Sequence, residues 1–170
     1  MRKLLILFIL CAAFMMGSGL AQGRYAGVSI GTPTLQGYYG LGEGVFIDNA
    51  DTRIRLALGA FGGFGFEVGA DLLFDGGVLD DEGLFTWYYG FGPGLGFYNT
   101  TIGGFDYSAL RINATGLGGV EYAINENFSA FGEVGAGLGI RIGTGDFVGV
   151  NAPSLLYLPV RVGIGAKFFL

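Results

Sequence analysis

The side chains here that could do chemistry are nearly all carboxylates and guanidiniums: 14 Asp and Glu, 9 Lys and Arg, no histidine and one cysteine, Cys11. A lone cysteine allows no internal disulfide and no thiolate metal site. Without histidine the commonest general base is missing too. What remains is acid–base work by paired carboxylates, cation binding by clustered ones, or ion pairing. Glu121 and Glu133 are candidates for the first, and Asp75, Asp80, Asp81 and Glu82 for the second. The acidic cluster matches no EF-hand spacing and reads as a solvated loop. Gly90, Gly92, Gly94 and Gly96 recur at every second residue, which marks one face of a strand; the phosphate-loop spacing and its lysine are absent. No catalytic, cofactor-binding or metal site is expected.

The elements that must position these charges show themselves in RIRLALGAFGGFGFEVGADLL, residues Arg53 to Leu73. Ile54, Leu56, Leu58 and Ala60 alternate with Arg53, Arg55, Ala57 and Gly59. Past the central glycines, Phe64, Phe66, Val68, Ala70 and Leu72 alternate with Gly65, Glu67, Gly69 and Asp71. This is a hairpin with one apolar face and one face of glycines and opposite charges. A three-residue turn around Gly63 would place Arg55 opposite Asp71.

Composition decides which face turns outward. The chain opens Met1-Arg2-Lys3, continues as LLILFILCAAFMM and reaches the small residues Gly19 and Ala21. That order is the pattern of a secretory signal peptide. Cleavage is expected after Ala21, dividing the chain into a leader, 1–21, and one domain, 22–170. Leu10 stands where a lipoprotein signal would need a small residue before Cys11. Beyond Ala21 seven bases face fourteen acids, a balance that disfavours nucleic acid as a partner. Charged residues are only 14% of the chain and hydrophobic ones 51%, with 35 glycines; a soluble domain usually carries about 25% charged residues. No apolar run after the leader reaches the roughly 18 residues of a membrane helix. Lipid admits only helices and closed barrels, so if this chain lies in a membrane it does so as a barrel.

Eight alternating segments can be read between turn signals. They run about 24–32, 36–47, 53–60, 64–73, 84–98, 108–123, 128–142 and 155–170, with loops at Asp48 to Asp51, Asp75 to Gly83, Asn99 to Tyr107 and Gly143 to Ser154, and a tight turn at Asn125 to Asn127. Glu43 breaks parity unless a bulge intervenes, and Pro93 and Pro159 each imply a bulge or break. Strands of about ten residues suit a tilted transmembrane strand. The fold expected is all-β: an eight-stranded antiparallel up-and-down transmembrane β-barrel after a cleaved signal peptide. With the N-terminus periplasmic, Phe74, Trp87, Tyr122, Phe128 and Phe168 fall near the periplasmic end, as an interfacial girdle would.

The charges sort with the glycines. Arg53, Arg55, Arg111, Arg141, Arg161 and Lys167 fall on the glycine-bearing faces, as do Glu67, Asp71, Glu121 and Glu133. A lipid-facing Arg or Lys at the bilayer midplane would cost about 2–4 kcal/mol, so this face is the lumen. An eight-stranded barrel has room inside for little more than side chains. These ten residues are therefore expected to form a structural ion-pair network closing the lumen. A narrow water-filled channel, porin-like in kind, and a secreted soluble barrel binding a hydrophobic ligand are the competing readings.

On these residues the chain resembles the small outer-membrane β-barrel family, the type of the OmpA transmembrane domain, OmpX and the opacity proteins. The likeness covers Arg24 to Leu170 and is most specific in GGVEYAINENFSAFGEVGAG, Gly118 to Gly137, and in the end VGIGAKFFL. Gly165, Phe168 and Leu170 are similar to the signal by which the barrel-assembly machinery recognises a last strand, with Leu where Phe is commoner. The resemblance implies a bacterial outer membrane of the Gram-negative type, a monomer, a structural or surface-interaction role, and outer-membrane lipid and the assembly machinery as partners. Barrel enzymes of that membrane rely on histidine, so none of their mechanisms can be assembled here, and no enzymatic activity is expected. The ligand of the outer loops, if there is one, is not named by any motif. Asn99-Thr-Thr, Asn113-Ala-Thr and Asn127-Phe-Ser carry no meaning as glycosylation sites in such a barrel.

Overall fold

A sheet with one apolar and one charged face leaves two edges of unpaired backbone unless it closes on itself. This sheet closes. The computed structural model describes residues 23–32, 34–59, 64–102, 105–145 and 155–170. The expected leader, Pro33, the turn at 60–63 and the stretch 146–154 lie outside the described residues. The strands are β1 (Tyr25–Thr32), β2 (Thr34–Glu43), β3 (Asp51–Gly59), β4 (Phe64–Val78), β5 (Phe85–Ile102), β6 (Phe105–Asn125), β7 (Phe128–Gly145), β8 (Leu155–Tyr157) and β9 (Val160–Phe169). Each pairs antiparallel with its sequence neighbour, β7 pairs with β8 and β9 together, and β9 closes the ring on β1 from Tyr25↔Phe169 to Thr32↔Val162. The result is an up-and-down barrel of eight staves, the last made of β8 and β9.

Pro159 is the reason for that division. It cannot donate to a ladder, and the strand lapses for Leu158 and Pro159. The register is nonetheless the same on both sides, Gly139↔Tyr157 and Ala136↔Val160, and Pro159 still accepts from Gly137 N at 3.0 Å. Pro93 causes no bulge and β5 runs on through it, but the expected break is seen in the ladder to β4, which lapses at Pro93 and Gly92. Pro93 faces Ala114 in β6, and the β4–β5 register is unchanged on either side of it, from Gly69↔Gly94 to Leu72↔Phe91.

Three boundaries differ from the sequence reading. The turn expected at Asp48 to Asp51 begins earlier, at Gly44, and Asp51 already belongs to β3; a bulge between Gly40 and Gly42 restores parity and leaves Glu43 exposed at the rim. The loop expected at Asp75 to Gly83 begins later, at Leu79, because a second bulge between Asp75 and Gly77 lets β4 run on to Val78. In the loop expected at Asn99 to Tyr107 the described residues, 99–102 and 105–107, are strand, since β5 and β6 pair as far as Ile102↔Phe105. β5, β6 and β7 are 18, 21 and 18 residues long. Those lengths exceed the roughly 9–11 residues that a tilted strand needs to cross a hydrocarbon layer.

Burial is inverted relative to a soluble domain. The largest fully buried side chains are Arg53, Arg55, Gln36, Thr52, Asp71, Ser29 and Ser129, while Phe91, Leu95, Val134, Leu138, Val162 and Ile164 are exposed on the outer wall. Toward the end that carries the chain termini, the outer wall bears an aromatic cluster, with Phe74 stacked on Tyr89 at 5.5 Å and Phe85 against Tyr122 at 4.7 Å.

Trp87 belongs to that cluster and covers the second bulge. A Cβ at Gly76 would lie 2.3 Å from the indole. Gly76→Val is therefore expected to displace the ring and cost about 1–3 kcal/mol. Because Trp87 is the only tryptophan, its fluorescence maximum together with a urea titration measures this site alone.

Candidate functional site: the charged lumen

Inward positions alternate with outward ones along every stave, so the charged residues of five strands converge on one narrow space. The convergence is layered. Nearest the chain termini, Lys167 on β9 pairs with Glu121 on β6, whose other carboxylate oxygen accepts from Ser129 Oγ at 2.5 Å. The Tyr25 and Tyr88 rings lie 4.9 Å from the ammonium.

The middle layer is a closed ring of alternating charge. Arg53 donates to Asp71 Oδ2 from Nε and Nη2 at 3.1 and 2.7 Å, and to Glu133 Oε2 from Nη1 at 2.9 Å. Arg161 completes the circuit, reaching Glu133 Oε1 at 2.9 Å and Asp71 Oδ1 at 3.3 Å. These four side chains come from β3, β4, β7 and β9, which lie on opposing walls with β5 and β6 between them on one side and β1 and β2 on the other. Tyr38 places its ring 4.3 Å from the Arg53 guanidinium and its hydroxyl 3.2 Å from Glu133 Oε1; Tyr88 donates to Glu133 Oε2 at 3.2 Å. Both guanidiniums and both carboxylates are buried.

In the next layer Arg55 pairs with Glu67 at 2.5 Å and touches Asp71 Oδ2 at 3.5 Å. The register here corrects the sequence reading by two residues: Arg53 faces Asp71, and Arg55 faces Gly69. The physical reason is room. A Cβ at Gly69 would meet the Arg55 guanidinium at 2.4 Å, so a glycine opposite is what lets that arginine fold over β4 toward Glu67. Asn113 Nδ2 donates to Glu67 Oε2 at 3.0 Å and to the Tyr157 hydroxyl at 3.2 Å.

Not all ten predicted residues pair. Arg111 and Arg141, at the end away from the termini, face each other across the β6–β7 ladder, and among the residues whose side chains are described neither has a carboxylate within ion-pairing distance. Both meet aromatic rings instead: Arg111 stands over Tyr98 at 4.5 Å, and Tyr157 takes Arg111 at 5.7 Å and Arg141 at 5.3 Å. Such contacts are worth about 0.5–2 kcal/mol each and leave the charge in place.

Chemically, the arrangement commits its carboxylates. Glu121 and Glu133 stand on adjacent strands but hold different partners, Lys167 with Ser129 and the two arginines with Tyr38 and Tyr88 respectively. In the acidic turn, Asp75 Oδ1 accepts from Gly77 N at 2.8 Å and Asp80 Oδ1 from Phe85 N at 2.9 Å, so these side chains shape backbone. Among the described residues no group of three or more acids, histidines or cysteines is placed to hold a metal. At the closing seam Gly165 is an inward position whose missing Cβ makes room for the Phe131 ring, Phe168 and Leu170 face outward, and Leu170 N donates to Arg24 O at 2.9 Å.

The residues missed from sequence are the inward hydroxyl and amide groups: Tyr38, Gln36, Ser29, Tyr88 and Tyr157. For Tyr88 the signal was present, since it shares parity with Gly90 to Gly96. For Tyr38 it was hidden by the bulge that blurs β2.

No protein-family model matches the chain, and a search of curated proteins found no match. Among solved structures, the crystal structure of Neisserial surface protein A is similar to it: TM-score 0.53, 13% identity, covering 86% of this chain and 93% of that one. At that identity the likeness is one of fold, an eight-stranded barrel.

The charged ring predicts an order of stabilities. Asp71→Asn removes the charge that three arginines share in a dry site and is expected to cost about 3–5 kcal/mol. Glu67→Gln, at a partly exposed carboxylate, is expected to cost less than half as much. Urea unfolding of the two variants refolded into vesicles gives the comparison, and equal losses would tell against a graded, buried network.

Proposed function

We propose that the chain is an outer-membrane β-barrel of the OmpA, OmpX and opacity-protein type, a monomer with a structural or surface-interaction role and a lumen closed by ion pairs. The observation that carries this reading is Arg53: fully buried, it joins Asp71 on one wall to Glu133 on the opposite wall. A side chain tied across the lumen blocks it. The apolar outer wall needs lipid, and a polar interior is the wrong lining for a hydrophobic ligand, which speaks against a soluble carrier. The turns on the side of the termini, Gly44 to Ala50, Leu79 to Leu84 and Glu126 to Asn127, are short, as periplasmic turns are. The long hairpins of β5 to β7 then project outward, where they offer a surface for contacts. Catalysis forms no part of this reading, because Asp71, Glu133 and Glu121 are each held by a counter-ion and Glu67 by a counter-ion and an amide. Folding in the cell would use the barrel-assembly machinery through Gly165, Phe168 and Leu170.

The experiment is membrane fractionation combined with gel mobility of boiled and unboiled samples. The protein is expected in the outer-membrane fraction, with a heat-dependent shift in mobility; recovery as a soluble protein without detergent would refute the reading. Val134→Arg, at an outer position 60% exposed, sharpens the test. In a bilayer it is expected to cost about 2–4 kcal/mol, whereas on a water-facing wall it would be close to neutral. In planar bilayers the purified protein is expected to give no steady single-channel openings; such openings would favour a narrow channel.

A further inference from the structure

The ten predicted lumen residues are six bases and four acids, and Asp51, facing inward near Lys167 and Arg53, adds a fifth carboxylate, so the bases remain in excess. The structure shows where the surplus goes. Among the residues whose side chains are described, Arg53, Arg55, Arg161 and Lys167 each have a carboxylate, and Arg111 and Arg141 have none. They occupy directly opposed rungs of the β6–β7 ladder. Like charges placed opposite each other in this way repel.

Three features distinguish this pair from two solvated surface arginines. Nε of Arg111 and Nε of Arg141 are both buried and have no hydrogen-bond partner. Both guanidiniums address one ring, Tyr157, whose hydroxyl is fixed by Asn113. Beside Arg111 and Tyr98 there is a recess of about 250 Å³ in the wall, partly lined by Gly59, Gly65 and Gly96 and bordered by Glu67. Glu67 does not supply the missing charge, because its two oxygens are taken by Arg55 and Asn113.

We infer that Arg111 and Arg141 form a binding site for a tetrahedral oxyanion, a phosphate group, at the mouth of the barrel away from the chain termini. Two guanidinium forks held on tyrosine faces present their N–H groups with the geometry that suits phosphate oxygens. The anion would cancel the repulsion between them and satisfy the orphaned donors. This site goes beyond the structural role proposed above and does not depend on it. The phosphate could be free or carried by a lipid headgroup, and the recess has room for part of a carrier.

The test uses the purified full chain in neutral detergent, following its melting temperature by heat-dependent gel mobility. One arm adds inorganic phosphate, and a second adds phosphatidic acid to the micelles, each against sodium chloride of equal ionic strength. A saturable rise of a few degrees is expected in wild type, and it should vanish in R111Q/R141Q. A rise with inorganic phosphate supports a site open to the free ion; a rise with phosphatidic acid alone supports a lipid-borne group. No rise in either arm, or an equal rise in the double variant, overturns the site. In chloride alone, Arg141→Gln is expected to melt no lower than wild type, because it removes a repulsion. A clear loss of stability there would mean that Arg141 already has an anionic partner within the protein, and that too overturns the proposal. If the double variant fails to fold, Arg141→Lys retains the charge without the fork and should keep less than half of the rise; a full rise would refute recognition by the guanidinium.

Discussion

Arg53, Asp71, Arg161 and Glu133 close a ring of alternating charge across the inside of the barrel, and the rest of the structure depends on that closure. Two pairs of neighbouring staves on opposite walls, β3 with β4 and β7 with β9, are tied by it into one cross-section. Bare charges in so dry a place would be prohibitive. Each is tolerable because the walls hold its partners at fixed distances, and the walls stay at those distances because the partners hold them. The backbone ladder supplies closure and the ion ring supplies the diameter.

The glycines follow from the same constraint. An arginine lying across a lumen of this width must pass over the neighbouring stave, and any side chain there would stop it. Gly69 beneath Arg55 and Gly94 beside Glu67 and Asn113 are such crossing points, each with no space for a Cβ. Glycine costs entropy in a strand, and the chain has many of them. Their placement on the inner face shows what the cost allows: long polar side chains folded flat in a space that could not otherwise hold them.

Much of this was legible in the sequence, and the parts that were not share a cause. Parity alone separated lumen from outer wall, because a single charge such as Arg161 on an otherwise apolar strand declares its face. Register was not legible from parity, since a slip of two residues preserves every face. Arg55 opposite Asp71 and Arg55 opposite Gly69 satisfy alternation equally, and only the steric demand of the guanidinium chooses between them. Bulges were legible as possibilities, at Gly40 to Gly42, but Gly76 became one because an indole on the next strand covers it. The two prolines make the same point. Pro159 interrupts its stave, whereas Pro93 interrupts only the ladder to β4 and stays paired with Ala114 of β6, a difference set by the surrounding ladder and not by proline itself.

The position of the surplus charge is also physical. An excess of bases must sit somewhere in the lumen, and its cost falls with access to water. The four paired bases are buried, whereas Arg111 and Arg141 are half-buried near the open end. A barrel of this size can therefore be neutral and dry through its middle only if it exports imbalance to its mouth. The same rule that pairs the charges of the interior makes the rim electrically distinct, so the barrel presents a charged, aromatic-lined face at one end.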